Sequence, residues 1–234
     1  MTKDFNWVAI IPARIGSKRV KKKNLEKIGD LSLVEIAVKK AVTSKIFKEV
    51  IISTDSSEIE SQAVNSGAKS YGLRNKNIAM DTTSTVEVIN NILEKLDDSV
   101  KGFSLIQCTS PFTKIQTIIS VSEIAAKNNI SCITVRKLEH TFLEWVLVQQ
   151  NEFIKPLLND DSQKKRSQDC TPLFSPSGNI YSVNLNYYKN NNYSLIGQNC
   201  LPYTISDANE LVDIDTYEDL NYAREIFDIQ GQIF

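Results

Sequence analysis

Histidine is almost absent from this 234-residue chain, which holds only His140. A histidine-rich metal centre needs several imidazoles and a Ser-His-Asp hydrolase needs one beside a nucleophile motif, so both classes are disfavoured and His140 reads as a loop residue. Cysteine is scarce and scattered. Cys108, Cys132, Cys170 and Cys200 form no C-x-x-C pair, which argues against a zinc or dithiol redox motif. Cys108 and Cys132 lie in apolar runs and read as small core residues. No apolar run approaches the roughly 18 residues that a membrane span needs. Met1-Thr2-Lys3-Asp4 leads straight into a short strand-like run, unlike a signal peptide. Net charge is −1, so no global basic field points to nucleic acid. The setting expected from these absences is reducing and cytoplasmic.

What is present is the composition of a soluble globular protein, 41% hydrophobic and 24% charged, with enough chain for one substantial core. "WVAIIPA" (7–13) is a continuous apolar run, as in a strand covered on both faces. "LSLVEIAVKKAVTS" (31–44) follows a helical period, and "EVIISTD" (49–55) reads as a second buried strand. The next helix, "SSEIESQAVNSG", closes at Gly67. Residues 84–96 and 117–129 predict helices; 103–110 and 131–139 predict strands. Alternation at this spacing predicts an α/β fold with a mostly parallel sheet and helices on both faces. Beyond residue 140 the rhythm changes. Residues 144–154 read as a hairpin turning at Gln150-Asn151, and the polar 159–170 stretch as part of a projecting segment. "GNIYSVNLNYY" and "LPYTI" read as returning strands, and "TYEDLNYAREIFDI" as a closing amphipathic helix.

The unusual stretch is "IIPARIGSKRVKKKN" (10–24), which sets Arg14, Lys18, Arg19, Lys21, Lys22 and Lys23 directly after the first strand. It is neither a Walker A loop nor a G-x-G-x-x-G fingerprint. Exposed amides with an arginine fork and ammonium groups can nonetheless bind a triphosphate at the carboxyl end of a strand. Charge alone leaves a solvated basic turn equally open. A second open choice lies at "DID" (213–215). Asp213 and Asp215 point the same way in an extended segment and could hold Mg²⁺, whereas Asp215 with Glu218 fits a D-x-x-E capping box.

"IIPARIGSKRVKKKN" resembles the amino-terminal signature of the acylneuraminate cytidylyltransferases, I-P-A-R-x-G-S-K-R-(x)3-K-N. "LRNKNIAMDTTST" (73–85), "LIQCTSPF" (105–112), "SPSGNIY" (175–181) and "VDIDTYEDL" (212–220) are similar to further motifs of that family, in the family's order. Together they cover nearly the whole chain. The resemblance implies a Rossmann-like nucleotidyltransferase fold, a single cytidylyltransferase domain over 1–234 with a dimerisation insertion at about 140–175, Mg²⁺ as cofactor, and a homodimer. The implied reaction transfers CMP from CTP to the anomeric hydroxyl of a nonulosonic, sialic acid-like sugar acid and releases pyrophosphate. Neither nucleic acid nor membrane is an implied partner.

Position by position, the resemblance assigns Arg14, Ser17 and Lys23 to the triphosphate, Asn24 to cytidine, and Arg74 and Ser84 to further nucleotide contacts. It makes Arg14, Lys23 and Asp215 the catalytic set and tips Asp213 and Asp215 toward metal binding. Gln107 and Tyr181 match positions lining the sugar pocket, and Arg166 matches a basic residue that comes from the partner subunit and helps receive the sugar. Their ordinary readings are a strand-end hydrogen bond, core packing and a solvated charge. Four positions depart from the sialic acid pattern: Glu144 stands for a lysine, Ser175 for an arginine, Ser177 for an asparagine and Thr113 for an arginine. The sugar side is therefore the open half, with N-acetylneuraminate and legionaminate- or pseudaminate-like acids as candidates. Two alternatives stand beside this reading. One is a 3-deoxy-manno-octulosonate transferase, whose opening signature, P-A-R-x-x-S-x-R-L-P-x-K, fits "GSKRVKKKN" less well. The other is a non-catalytic nucleotide-binding protein of the same fold, against which Lys23, Asp213 and Asp215 speak.

Overall fold

β1 (Trp7–Pro12) is apolar at nearly every position because it lies between two parallel neighbours, β4 (Glu49–Ser53) and β6 (Gly102–Ile106), with helices over both faces. This is seen in a computed structural model that describes residues 5–75, 83–159, 161–231 and 233–234. Among the described residues the main sheet has seven strands. From one edge they are β11 (Cys200–Thr204), β7 (Ser131–Leu138), β10 (Leu173–Asn184), β6, β1, β4 and β5 (Lys69–Ser70). β10 runs antiparallel to β6 and β7; the other pairings are parallel, as the alternating pattern predicts. β2 (Lys27–Ile28) and β3 (Leu31–Ser32) form a small separate ribbon.

Successive side chains of β1 feed opposite cores. Ala9 and Ile11 join a cluster with α1 (Leu33–Ser44), α2 (Ser57–Asn65), α4 (Ile115–Asn128) and α6 (Tyr217–Gln230). Val8 and Ile10 join Phe103, Leu105 and Tyr188 under α3 (Thr85–Leu93) and α5 (Leu185–Asn190). The helix expected over 31–44 starts at Leu33 because Ser32 and Glu35 form a reciprocal capping box. The strand expected to run through "NLNYY" stops at Asn184. Its Oδ1 accepts the N–H groups of Asn186 and Tyr187 and starts α5, which buries Tyr188 edge-on against Phe103.

The 144–154 hairpin is β8 (Leu147–Gln150) paired with β9 (Phe153–Pro156), with Asn151 in a left-handed turn conformation. Its strands belong to no part of the main sheet, and Leu147, Phe153 and Ile154 stand exposed. Glu144, where the resemblance suggests a lysine near the sugar, is instead an internal anchor of this segment. It is 4% exposed, and Oε1 accepts from Lys165 Nζ and from Thr171 N and Oγ1.

Candidate active site

The loop after β1 is held as a cradle by side chains that bond its backbone and by one that is buried. Ile15 N–H donates to Asp55 Oδ1 (2.9 Å), Val20 is fully buried, and Asn24 Nδ2 donates to the Arg14 carbonyl (2.9 Å). A 3-10 turn at Lys23–Leu25 closes it, entered through Lys22 at φ 54°. Arg14, Ser17, Lys18, Arg19, Lys23 and Asn24 thereby line one cleft of about 570 Å³ at the carboxyl ends of β1 and β6. Lys21 and Lys22 stay outside its wall. Both are exposed, and Lys22 pairs with Glu58 at 3.0 Å. The basic run thus divides into cleft cations and a solvated pair.

Opposite the loop comes the acidic segment before α6. Lys23 Nζ donates to the Ile214 carbonyl (2.7 Å) and to Asp215 Oδ1 (3.0 Å), while Arg19 Nη2 meets Asp215 Oδ2 at 3.0 Å. Asp215 does not cap α6. That position is Thr216, whose Oγ1 accepts from Asp219 N–H while Asp219 Oδ2 accepts from Thr216 N–H. The capping reading of Asp215 is therefore corrected by one residue, and its carboxylate is left to the cleft. Asp213 is open to solvent but ringed by protein. Burial, and then Asp215, push its carboxyl above the usual range, against a hydrogen bond with the Thr109 side chain. Gly178, at φ 86°, faces it; a Cβ there would come within 3.9 Å of Asp213 Oδ2.

Arg74 enters from the far side. Its N–H donates to the Thr54 carbonyl (2.7 Å), and its guanidinium Nε and Nη2 are buried with no hydrogen-bond partner among the described residues. Burial lowers its pKa, with Arg14 adding to the effect and Asp55 opposing it. A buried guanidinium without an acceptor is costly and calls for an anion. Gln107 lies on the cleft wall at the end of β6 and also borders an adjoining hollow of about 320 Å³, where Tyr181 sits with Leu105 and Ile196. Burial, and then Asp213, raise the Tyr181 phenol.

Two assigned residues are placed elsewhere. Ser84 caps α3, its Oγ accepting from Glu87 N–H (3.2 Å), and its neighbours Thr83 and Thr85 line the cleft instead. The S-x-x-E spacing at 84–87 carried that signal. Arg166 is exposed and paired with Asp169 at 2.9 Å, away from this chain's cleft. Of the motif at 73–85, positions 76–82 lie outside the described residues. Arg19 and Thr109 had no assigned role, although each contacts the acidic pair.

A cationic loop facing carboxylates across the carboxyl ends of a parallel sheet defines a nucleotide-handling α/β protein. The family model described as cytidylyltransferase matches residues 8–233, and the chain belongs to that family. It is 28% identical over 230 residues to a CMP-N,N'-diacetyllegionaminic acid synthase of Legionella pneumophila, spanning 96% of this chain and 97% of that one. Against a pseudaminic acid cytidylyltransferase of Campylobacter jejuni it is 26% identical, with the same coverage of each. Against an N-acylneuraminate cytidylyltransferase of Escherichia coli it is 29% identical over 92% of this chain and 51% of that protein. In fold it is similar to a CMP:2-keto-3-deoxy-manno-octonic acid synthetase solved with CTP, with a TM-score of 0.69 and 16% identity over 96% of this chain and 99% of that one. A 4-diphosphocytidyl-2C-methyl-D-erythritol synthase from Anaerococcus prevotii shares it too, at a TM-score of 0.67 and 16% identity over 95% and 98%.

Proposed function

We propose that this protein transfers CMP from CTP to the anomeric hydroxyl of a nonulosonic acid. The observation that carries the reading is one cleft in which a cation cradle, an arginine with two donors unpartnered among the described residues and an acidic pair converge, in a chain matched over nearly its whole length by enzymes named for two such sugars. The anomeric oxygen attacks the α-phosphorus, the bond to the bridging oxygen breaks, pyrophosphate leaves and the hydroxyl proton passes to solvent. Such a transfer needs positioning and charge neutralisation more than covalent catalysis, which suits a site without histidine.

In this reading Arg14, Ser17, Lys18 and Lys23 take the triphosphate, and Arg74 supplies its free donors to the nucleotide. Asn24, by holding the Arg14 carbonyl, keeps the cradle in shape beside the cytidine. Arriving phosphates compete for Lys23 and Arg19 and free the oxygens of Asp215. Gln107 and Tyr181 face the sugar. Asp213 and Asp215 fit Mg²⁺, which accepts one or two carboxylates with phosphate oxygens and water, and a cation there would offset the burial and the Asp215 charge that raise Asp213. Bound there, the ion would neutralise charge on the phosphate oxygens. Among the described residues no third metal-ligating side chain joins them.

We place the whole chain in one catalytic domain whose arm, about residues 140–175, pairs two copies into a homodimer and lends Arg166 to the neighbouring site. The unpartnered Phe153, Ile154 and Leu147 on that arm support this. The cytoplasm suits four free thiols, and among the described residues no helix is long and apolar enough to cross a membrane. The test is pyrophosphate release from CTP with legionaminic, pseudaminic, N-acetylneuraminic and 3-deoxy-manno-octulosonic acids. Turnover with one of the nine-carbon acids is expected. Turnover with the eight-carbon acid alone, or CTP binding with no turnover on any, would overturn the reading.

A further inference from the structure

Lys40 is a lysine in the wrong place for a lysine. It lies in the middle of α1, 3% exposed, on the stripe that Leu33, Ile36 and Ala37 turn toward the core. An ammonium there loses its hydration, so a purely structural position would favour an apolar side chain. What replaces the water is specific. Nζ donates to the carbonyls of Pro111 (2.5 Å) and Thr113 (2.9 Å), both in the turn that follows β6.

That turn is gripped from two further sides. Glu210 Oε1 accepts Lys114 N–H (2.8 Å). Asn179 Nδ2, from β10, donates to Thr113 Oγ1 (2.8 Å) and to the Glu210 carbonyl (2.7 Å). The other end of the same turn belongs to the site. The Thr109 carbonyl accepts Ile214 N–H (2.8 Å), the Thr109 side chain bonds Asp213, and Gln107 N–H donates to the Asn179 carbonyl (3.1 Å). Thr113 and Asn179, which meet here, are both fully enclosed.

We propose that Lys40 is a positioning residue: by clamping the Pro111 and Thr113 carbonyls it fixes the 107–114 turn, and through Thr109 and Gln107 it sets the acidic pair and the sugar-facing wall of the cleft. Lys40 touches no reacting atom. Burial lowers its pKa to about 8, against the attraction of Glu210, so the clamp operates with its charge only modestly favoured at neutral pH. Misplacing a reacting group by about 1 Å can cost of the order of 10²-fold, so a loosened turn would register in turnover although no substrate contact is lost.

The kinetic half of the proposal rests on the transferase reading; the conformational half does not. Lys40→Met keeps the length and removes the donors, while Lys40→Gln keeps an N–H donor. Hydrogen exchange should accelerate in Lys40→Met at Thr113, Lys114 and Ile214, with β1 and β4 still protected, and Lys40→Gln should recover part of that protection. With an active sugar acid, Lys40→Met should lower kcat about tenfold or more and raise the KM for the acid several-fold, leaving the KM for CTP within about twofold. Unchanged or uniformly faster exchange would overturn the proposal, as would equal losses toward both substrates. So would a pair of variants neither of which folds, since Lys40 would then serve folding alone. If the wild-type protein turns over no sugar acid, the transferase reading fails and the exchange pattern alone decides the role of Lys40.

Discussion

Replacing Asp215 by asparagine separates a metal ligand from a structural carboxylate, because the structure gives that residue little to lose in stability. Its side chain is 40% exposed, and of its two partners Arg19 is 65% exposed while Lys23 keeps the Ile214 carbonyl. The screened Arg19 pair contributes about 0.2–1 kcal/mol, and Lys23, 13% exposed, keeps an acceptor because Asn Oδ1 still accepts from it. Relief of Asp213, whose carboxyl is raised partly by Asp215, offsets part of that. The net cost is about 1 kcal/mol or less, which for a chain of this size moves Tm by about 2–4 °C at most. Activity should behave differently. If the acidic pair holds Mg²⁺, the lost charge should lower pyrophosphate release by about 10²-fold or more and shift the Mg²⁺ dependence to higher concentration. Thr216→Ala supplies the opposite signature: removing the true N-cap costs about 1 kcal/mol and the same few degrees, with Mg²⁺ dependence unchanged. Differential scanning fluorimetry and a Mg²⁺ titration of turnover read both variants. Normal turnover of Asp215→Asn at wild-type Mg²⁺ would refute the metal role of that residue, and the same result for Asp213→Asn would remove the metal site.

Arg14→Ala and Lys23→Ala should each lower turnover by about 10²-fold or more with the fold intact, whereas Lys21→Ala and Lys22→Ala, outside the cleft wall, should change it little. Small, equal effects at all four would return the loop to a solvated turn. Light scattering at micromolar concentration should give twice the 26.4 kDa of one chain, and Phe153→Glu should shift it toward that single mass; a wild-type monomer would contradict both the homodimer and the role of Arg166. Lys40 binds fewer protons in the folded than in the unfolded chain once pH passes about 8, so its burial cost is relieved as pH rises. Between pH 8 and 9 the wild type should gain about 1 kcal/mol of stability relative to Lys40→Met in urea titrations, and parallel pH profiles would refute the shift.

Much of the fold was legible because its signals are local. Parallel strands buried on both faces read as unbroken apolar runs, and helices of 9 to 14 residues announce their period. The cleft cations were legible as a cluster but not as individuals. Arg19 and Lys22 look alike in the chain, and only the return of residue 215 beside one and Glu58 beside the other distinguishes them. The misplaced cap at α6 has a similar cause. D-x-x-E from Asp215 and T-x-x-D from Thr216 both satisfy the capping pattern, one residue out of step. The choice falls to backbone geometry, where Thr216 is extended at φ −122° and ψ 172°.

Lys40 shows the converse, a signal present in the sequence that pointed beyond itself. Counting from Leu33, position 40 falls two turns on, on the apolar stripe, four residues after Ile36 and three after Ala37. A lysine there contradicts the pattern that defines the helix, and a local rule broken without local compensation marks a place where something distant must compensate. The helix could not say what that was, because Pro111 and Thr113 lie more than seventy residues away in the chain. Thr113 points to the same place, standing where the resembling family carries an arginine. In this protein its hydroxyl is internal, donating to the Ser110 carbonyl and accepting from Asn179. Where the resemblance sets an arginine near the sugar, this chain has a hydroxyl built into the framework beside the site. Lys40 reaches the same turn and holds its backbone at Pro111 and Thr113.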